Sequence, residues 1–264
     1  MSQSRNRRLT ARSVLASVLL GTDPPWLPTP LLVRTAALFG LSEGTTRTAL
    51  SRMVTAGEAV PEDGGYRLAG PLVARQARQA ASRHPDAHPW DGTWELRSVD
   101  GDGARSAAAR AELRQALRAL RLVELREGVW GRPDNLPGDR SPEAAARADR
   151  WCRTWRGAVP DPAPAPDDLW DLAAWAAHAS ELRRAMDALL PALDTGDTAR
   201  LAEGFITSAA VLRHLQADPL LPPELLPPDW PGDALRSEYD RYDAAYRAVL
   251  RSWFRAASPG PPSP

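Results

Sequence analysis

One stretch constrains this chain more than any other: Leu41 to Gly57, followed closely by Glu58 to Leu68. Ser42 stands where a helix N-cap belongs, and Glu43 favours the positive end of the helix dipole. Gly57 is placed to stop the helix in a left-handed conformation. At about 100° per residue, Thr46, Ala49, Leu50, Met53 and Val54 gather on one side. The opposite side carries Thr45, Arg47, Thr48, Ser51, Arg52 and Thr55. Hydroxyls and guanidiniums of that kind suit phosphate oxygens and the acceptor edge of guanine in a major groove. A solvated face without a ligand more often mixes in Glu and Lys pairs, although an ordinary surface remains the alternative.

The flanks extend this pattern. Thr10 to Leu20 places Val14, Leu15, Val18 and Leu19 at helical spacing. Thr29 is expected to cap a second helix, with Pro30 in its first turn and Leu31, Leu32, Thr35, Leu38 and Phe39 following. Gly40-Leu41-Ser42 then forms a short turn into the third helix. After Gly57, Ala59-Val60 and Tyr66-Arg67-Leu68 flank Glu62-Asp63-Gly64-Gly65, a good hairpin turn. Helix, helix, turn, helix, hairpin is the order of a winged helix-turn-helix.

Charge is distributed to match. The net charge is zero, and all 33 basic residues are arginine. Residues 1–85 carry 11 arginines against five acidic residues, whereas residues 158–264 carry nine against 16. The positive end coincides with the helix-turn-helix pattern, as a counterion-releasing DNA footprint requires. Arg5, Arg7 and Arg8 before Val14–Leu20 resemble a signal peptide, but the apolar run is short and no small-x-small cleavage site follows. No stretch approaches the roughly 20 apolar residues of a membrane span, so a cytoplasmic protein without a membrane partner is expected. The single Cys152 excludes an internal disulfide and reads as a buried structural thiol.

Three domains are expected: a winged-helix domain over 1–85, a central module over 86–157 and a helical C-terminal effector and dimerisation domain over 158–264. Pro71 to Arg83 reads as a helix, and His84 to Pro89 as a linker. Trp94–Val99 reads as a strand, Asp100–Gly103 as a turn, and Arg105–Arg121 as a helix. Leu122–Leu125 and Gly128–Gly131 suggest two further strands, and Ser141 caps a helix from Pro142 to about Trp155. This β-α-β-β-α order fits a small ferredoxin-like α/β module. Long helices are expected over Asp168–Leu190, Thr198–Gln216 and Leu235–Phe254, interrupted by a proline-rich segment from Asp218 to Gly232. The fold class is therefore α+β multidomain.

Three segments carry a family resemblance: Arg47-Thr-Ala-Leu-Ser-Arg-Met-Val54, Trp90-Asp-Gly-Thr-Trp94, and Asp218-Pro-Leu-Leu-Pro-Pro-Glu-Leu-Leu-Pro-Pro-Asp-Trp-Pro-Gly232. In order and spacing they look like the phenylacetic acid catabolon repressor (PaaX) family over about residues 10–254. The resemblance implies an N-terminal winged helix, a central Cas2-like ferredoxin module and a helical C-terminal region. It further implies a homodimeric repressor of phenylacetate catabolism, released from double-stranded DNA by phenylacetyl-CoA or another acyl-CoA. Family wings commonly carry arginines before the Tyr-Arg-Leu strand, whereas here the tip is Pro61-Glu-Asp-Gly-Gly65. An acidic tip repels phosphate, so Arg47 and Arg52 are expected to supply more of the grip than the wing.

Other candidate sites are weaker. His84-Pro-Asp-Ala-His88 offers three possible metal ligands but no fourth nearby, and reads as a surface linker. Asp100 falls where a Cas2-type nuclease places a metal-binding carboxylate, yet one carboxylate is not a two-metal site. The tryptophans, including Trp90, Trp94, Trp151, Trp155, Trp170 and Trp175, read mainly as packing, with an aromatic effector pocket as the alternative. An effector is expected where the central module meets the helical third, near arginines such as Arg183, Arg184 and Arg213. No catalytic triad or phosphate-cradling glycine loop is found, so no enzyme, resident cofactor or metal is expected. The reading that leads is a sequence-specific DNA-binding regulator. A metal-dependent nuclease and a winged-helix module for protein contacts remain the alternatives.

Overall fold

The computed structural model describes residues 10–22, 24–100 and 106–257. The charged start of the chain, most of the Asp100–Gly103 turn and the proline tail lie outside them. Helices alternate with two small antiparallel sheets, and the last third is helical. The chain divides into two compact units, each assembled from separated segments. One comprises Met1–Arg83, Ala179–Gln216 and Asp233–Pro264; the other comprises His84–His178 and Ala217–Gly232. These differ from the three consecutive segments 1–85, 86–157 and 158–264, because the helical third is shared between both units. Among the described residues, no helix is long and apolar enough to cross a membrane.

In the first unit, α1 (Ala11–Leu20) starts at Thr10, whose hydroxyl accepts the Ser13 amide at 3.1 Å. The strand β1 (Trp26–Pro28) leads directly into α2 (Thr29–Ala37). Pro28, not Thr29, occupies the N-cap position. Thr29 instead ties the start of α2 to Gly64, whose carbonyl accepts from its amide at 3.1 Å and its hydroxyl at 2.8 Å. Next come α3 (Glu43–Thr55), the hairpin strands β2 (Ala59–Glu62) and β3 (Gly65–Leu68), and α4 (Pro71–Arg83). α1, α2 and α3 pack on one another over fully buried Leu15, Leu19, Leu32, Leu50 and Met53. Burying that many large aliphatic side chains contributes roughly 1.5–3 kcal/mol each.

The hairpin belongs to a three-stranded sheet ordered β1-β3-β2. Its two-residue turn is Asp63-Gly64, with φ of 47° and 73°, the left-handed pair that a type I′ turn requires. The third strand, β1, was not expected from the sequence, where two residues between prolines give no periodic signal. It pairs Leu27 with Tyr66 and Pro28 with Gly65.

In the second unit, β4 (Trp94–Val99), α5 (Ala107–Ala119), β5 (Val123–Arg126), β6 (Val129–Pro133), α6 (Pro142–Ala148) and β7 (Cys152–Ala158) follow in order. The strands form one sheet ordered β5-β6-β4-β7, with every neighbouring pair antiparallel. The helix expected to run from Pro142 to about Trp155 is corrected here: it stops at Ala148, and Cys152 opens a strand instead. The reason is pairing, since residues 152–158 find an open edge on β4, with Cys152 opposite Val99 and Trp155 opposite Leu96. Leu113, Leu117, Leu120 and Trp130 build the core beneath α5 and α6, and Cys152 is buried among them.

The helix expected over Asp168–Leu190 is broken into α7 (Pro166–Leu169) and α8 (Leu172–Asp194). Trp170 is extended there, and the Asp171 carboxylate accepts the Ala174 amide at 3.0 Å, so Asp171 caps α8. α9 (Leu201–Gln216) starts through a 3-10 turn at Thr198–Arg200, and α10 (Gly232–Ala257) outruns its expected bounds at both ends. In the first unit, Tyr242 donates to the Gly204 carbonyl at 2.9 Å. Arg83 at the end of α4 donates to Asp240 at 2.6 Å and Asp243 at 2.9 Å on α10.

The proline-rich segment 218–232 folds into the second unit around Arg132. That guanidinium is almost fully buried, and donates to the Leu220 carbonyl at 2.8 Å and to Asn135 Oδ1 at 2.7 Å. Asn135 Nδ2 donates to the same Leu220 carbonyl at 3.1 Å. Further along, Trp230 stacks on Trp175 with ring centroids 4.4 Å apart.

Candidate functional site

The third helix presents the face that its amphipathic spacing predicts. Ser42 Oγ accepts the Thr45 amide at 3.2 Å, and Gly57 takes φ of 68° two residues after the last helical residue. Thr46, Ala49, Leu50 and Met53 are buried, and Val54 is half-buried. All six candidate residues, Thr45, Arg47, Thr48, Ser51, Arg52 and Thr55, are exposed on the other side. Thr45, Thr48, Arg52 and Thr55 run along one row of the helix surface, with Arg47 and Ser51 in the row beside it.

Their hydrogen-bonding state differs. Thr48 Oγ1 donates to the Gly44 carbonyl at 2.9 Å and Thr55 Oγ1 to the Ser51 carbonyl at 3.1 Å. Each hydroxyl keeps lone pairs for a donor but has directed its proton back into the helix. Arg47 Nε donates to Glu43 Oε1 at 2.8 Å, one turn earlier. The Arg52 side chain makes no ion pair or hydrogen bond among the described residues. Of the two arginines, Arg52 is therefore the one with an uncommitted guanidinium.

The hairpin carries a second charge arrangement, which the acidic composition of its tip conceals. Arg67 pairs with Glu62 through two guanidinium nitrogens, and the Arg67 hydrogen bond holds the Glu62 carboxyl below its usual range. One of the two acidic residues near the tip is thus compensated. The signal was present in the sequence, since a two-residue turn at Asp63-Gly64 places residues 62 and 67 on adjacent strands. Behind the hairpin, the Trp26 indole donates to the Glu62 carbonyl at 2.9 Å. Arg12 pairs with the nearly buried Glu58, and that hydrogen bond lowers the Glu58 pKa against the opposing effect of burial.

The remaining candidates are dispersed. Asp100 directly follows β4 and pairs with Arg153 at 3.1 Å. His84 and His88 are exposed, and no group of three or more metal-ligating side chains occurs among the described residues. Trp94 lies 6.5 Å from Trp170, Trp175 stacks on Trp230, and Trp151 and Trp155 are exposed. The Trp90 indole donates to the Thr93 carbonyl at 2.6 Å. Of the arginines named for an effector, Arg183 is paired with Glu238, while Arg184 and Arg213 are exposed.

Comparison with known proteins bears on both ends of the chain. A family model described as "PaaX-like protein" matches residues 10–72, and one described as "PaaX-like protein C-terminal domain" matches residues 170–256. Among solved structures, the uncharacterized protein Rv0674 from Mycobacterium tuberculosis is 40% identical, with a TM-score of 0.70, covering 92% of this chain and 98% of its own. No curated protein matches.

Proposed function

The chain belongs to the PaaX-like protein family, and from that premise we propose that it is a transcriptional regulator that binds double-stranded DNA through α3. In this reading α1, α2, α3 and the β1-β3-β2 sheet are a winged helix-turn-helix. The central β-α-β-β-α-β order, with its antiparallel sheet β5-β6-β4-β7, is a ferredoxin-like module. The observation that carries the proposal is the outward face of α3. Six hydroxyl and guanidinium side chains stand exposed on a capped helix whose reverse side is buried. The protein acts as a homodimeric cytoplasmic repressor rather than a catalyst, and an aryl- or acyl-CoA-type effector releases it.

Gel-shift or anisotropy titration against DNA upstream of its own gene tests this. Arg52→Ala is expected to cost roughly 1–3 kcal/mol of binding if it reads bases. Affinity of the wild type should also fall steeply with salt. Binding that neither salt nor substitution of Arg47 and Arg52 changes would remove this face from the interface.

A further inference from the structure

Within the first unit, α1, α2, α4, α9 and α10 line a partly open cavity of about 430 Å³. Small-molecule sites fall within roughly 300–1,000 Å³. Val18, Phe205, Leu212, Tyr246 and Leu250 give it an apolar wall. Gln76, Gln79 and three arginines, Arg75, Arg83 and Arg247, face it from the polar side, with Asp243 as their acidic neighbour.

The three arginines are not in the same state. Arg83 is held by Asp240 and Asp243. Arg247 donates to Asp243 at 2.9 Å and to the Gly21 carbonyl at 2.6 Å. Both charges are answered within the protein. The Arg75 side chain makes no hydrogen bond or ion pair among the described residues, although it is only partly exposed. Burial pushes its guanidinium pKa down, and the nearby charges of Arg213, Arg78 and Arg12 push it in the same direction. A partly desolvated cation among like charges is unfavourable until an anion joins it.

We propose that this cavity is a binding site for a small organic anion whose apolar body packs against Phe205, Leu212 and Leu250 while its oxyanion meets Arg75. The inference deepens the regulatory reading and rests on it for its biological meaning, though not for its chemistry. Gln79, one turn on from Arg75 on α4, offers an amide donor to the same oxyanion, whereas the Gln76 amide already donates to the Leu20 carbonyl at 3.3 Å. Ser17, Val18, Leu20 and Gly21 from α1 and its end, with Thr35 of α2, complete the wall. An occupant therefore touches the two helices on which α3 packs. A ligand that binds better when those helices take a DNA-incompetent arrangement shifts the population away from DNA. The oxyanion has two sources, the carboxylate of a free acid or the phosphates of its coenzyme A thioester.

Calorimetric titration of the full-length protein with phenylacetate, octanoate, phenylacetyl-CoA and inorganic phosphate separates these sources. At least one probe with an apolar body is expected to bind, and inorganic phosphate alone to bind far more weakly. Binding of the free acids assigns the oxyanion to a carboxylate; binding of the thioester alone assigns it to the coenzyme. In either case Arg75→Gln should weaken binding at least tenfold, and Leu212→Trp, which fills the cavity, should abolish it. Arg114→Ala, exposed on α5 and outside the cavity, should leave it unchanged. Failure of every probe to bind, or binding that Arg75→Gln leaves intact, overturns the proposal. DNA binding of Arg75→Gln without any probe is measured separately. A protein that binds the acid but no DNA refutes the regulatory reading and leaves the site standing.

Discussion

Arg47 Nε donates to Glu43 Oε1 at 2.8 Å, so the first guanidinium on the outward face of α3 is shared with a carboxylate one turn behind it. Both side chains are 60% exposed, and such an i, i+4 pair is worth only a few tenths of a kcal/mol, about 0.3–0.5. DNA therefore competes with Glu43 for Arg47 at small cost, but Glu43 also brings a negative charge close to phosphate. Glu43→Gln is expected to tighten DNA binding several-fold at low salt, and to do so less at high salt. Arg47→Ala is expected to lose less affinity than Arg52→Ala, because only Arg52 starts uncommitted. Anisotropy titrations of the three variants at two salt concentrations measure both differences.

Gly65 of β3 pairs with Pro28 of β1 and leaves no room for a side chain. A Cβ there would run into the Leu27 carbonyl and lie 2.9 Å from Pro28 Cα, both backbone atoms that cannot turn aside. Gly65→Ala should force the two strands apart and cost about 1–3 kcal/mol, as overpacking does. Chemical unfolding followed by far-UV dichroism gives the loss. The neighbouring Gly64→Ala acts differently, because it meets open space and is strained only by its φ of 73°.

What the sequence made legible was what its short-range periodicity encodes. Ser42, Gly57 and the spacing of Leu50 and Met53 were enough to define α3 and its buried side, because capping and amphipathicity are local. The same local rules failed at Trp26–Pro28 and at Cys152–Ala158. Each is a strand only because a partner, β3 or β4, lies across a long loop of chain, and neither shows clean alternation. They failed again at Trp170-Asp171, where a single capping carboxylate divides a helix that apolar spacing had joined. The exposed candidate face was readable for the same reason as the helix. The cavity beside Arg75 was not, since its wall gathers residues from five helices as distant in the chain as Ser17 and Leu250.

Glu95 provides a test of acid stability. It is 1% exposed and lies between Arg140, at 2.7 Å, and Arg97. Burial alone would raise its pKa, but the Arg140 ion pair and hydrogen bond, with the charges of Arg156 and Arg97, outweigh it and bring the value below the ordinary 4.5. A carboxylate whose folded pKa is depressed contributes stability that is present above 4.5 and is lost as pH falls through the folded value. The wild type should therefore lose stability below that point, with a shallower decline in Glu95→Gln. Leaving the arginines without their anion should also destabilise Glu95→Gln at neutral pH, by about 3–5 kcal/mol. Urea unfolding as a function of pH measures both effects.

Arg132 makes the proline-rich segment 218–232 part of a packed unit rather than a free loop. Burial, with the nearby charges of Arg140 and Arg121, pushes its guanidinium down to about 9, which still leaves it a cation at neutral pH. A cation in that position is stabilised by the carbonyl dipoles of Pro219 and Leu220, which the prolines hold out of any helix. Removing it leaves the Pro219 carbonyl and Asn135 Oδ1 short of a donor, while the Leu220 carbonyl keeps Asn135 Nδ2, at about 1–3 kcal/mol for each group left unsatisfied. Arg132→Met keeps the volume and removes the donors, so it should lower stability by at least one such increment. It should also loosen the segment enough to alter the stacking of Trp230 on Trp175. Tryptophan fluorescence and near-UV dichroism report that stacking directly. A variant that loses stability without a change in either signal would place the role of Arg132 in the sheet rather than in the segment it holds.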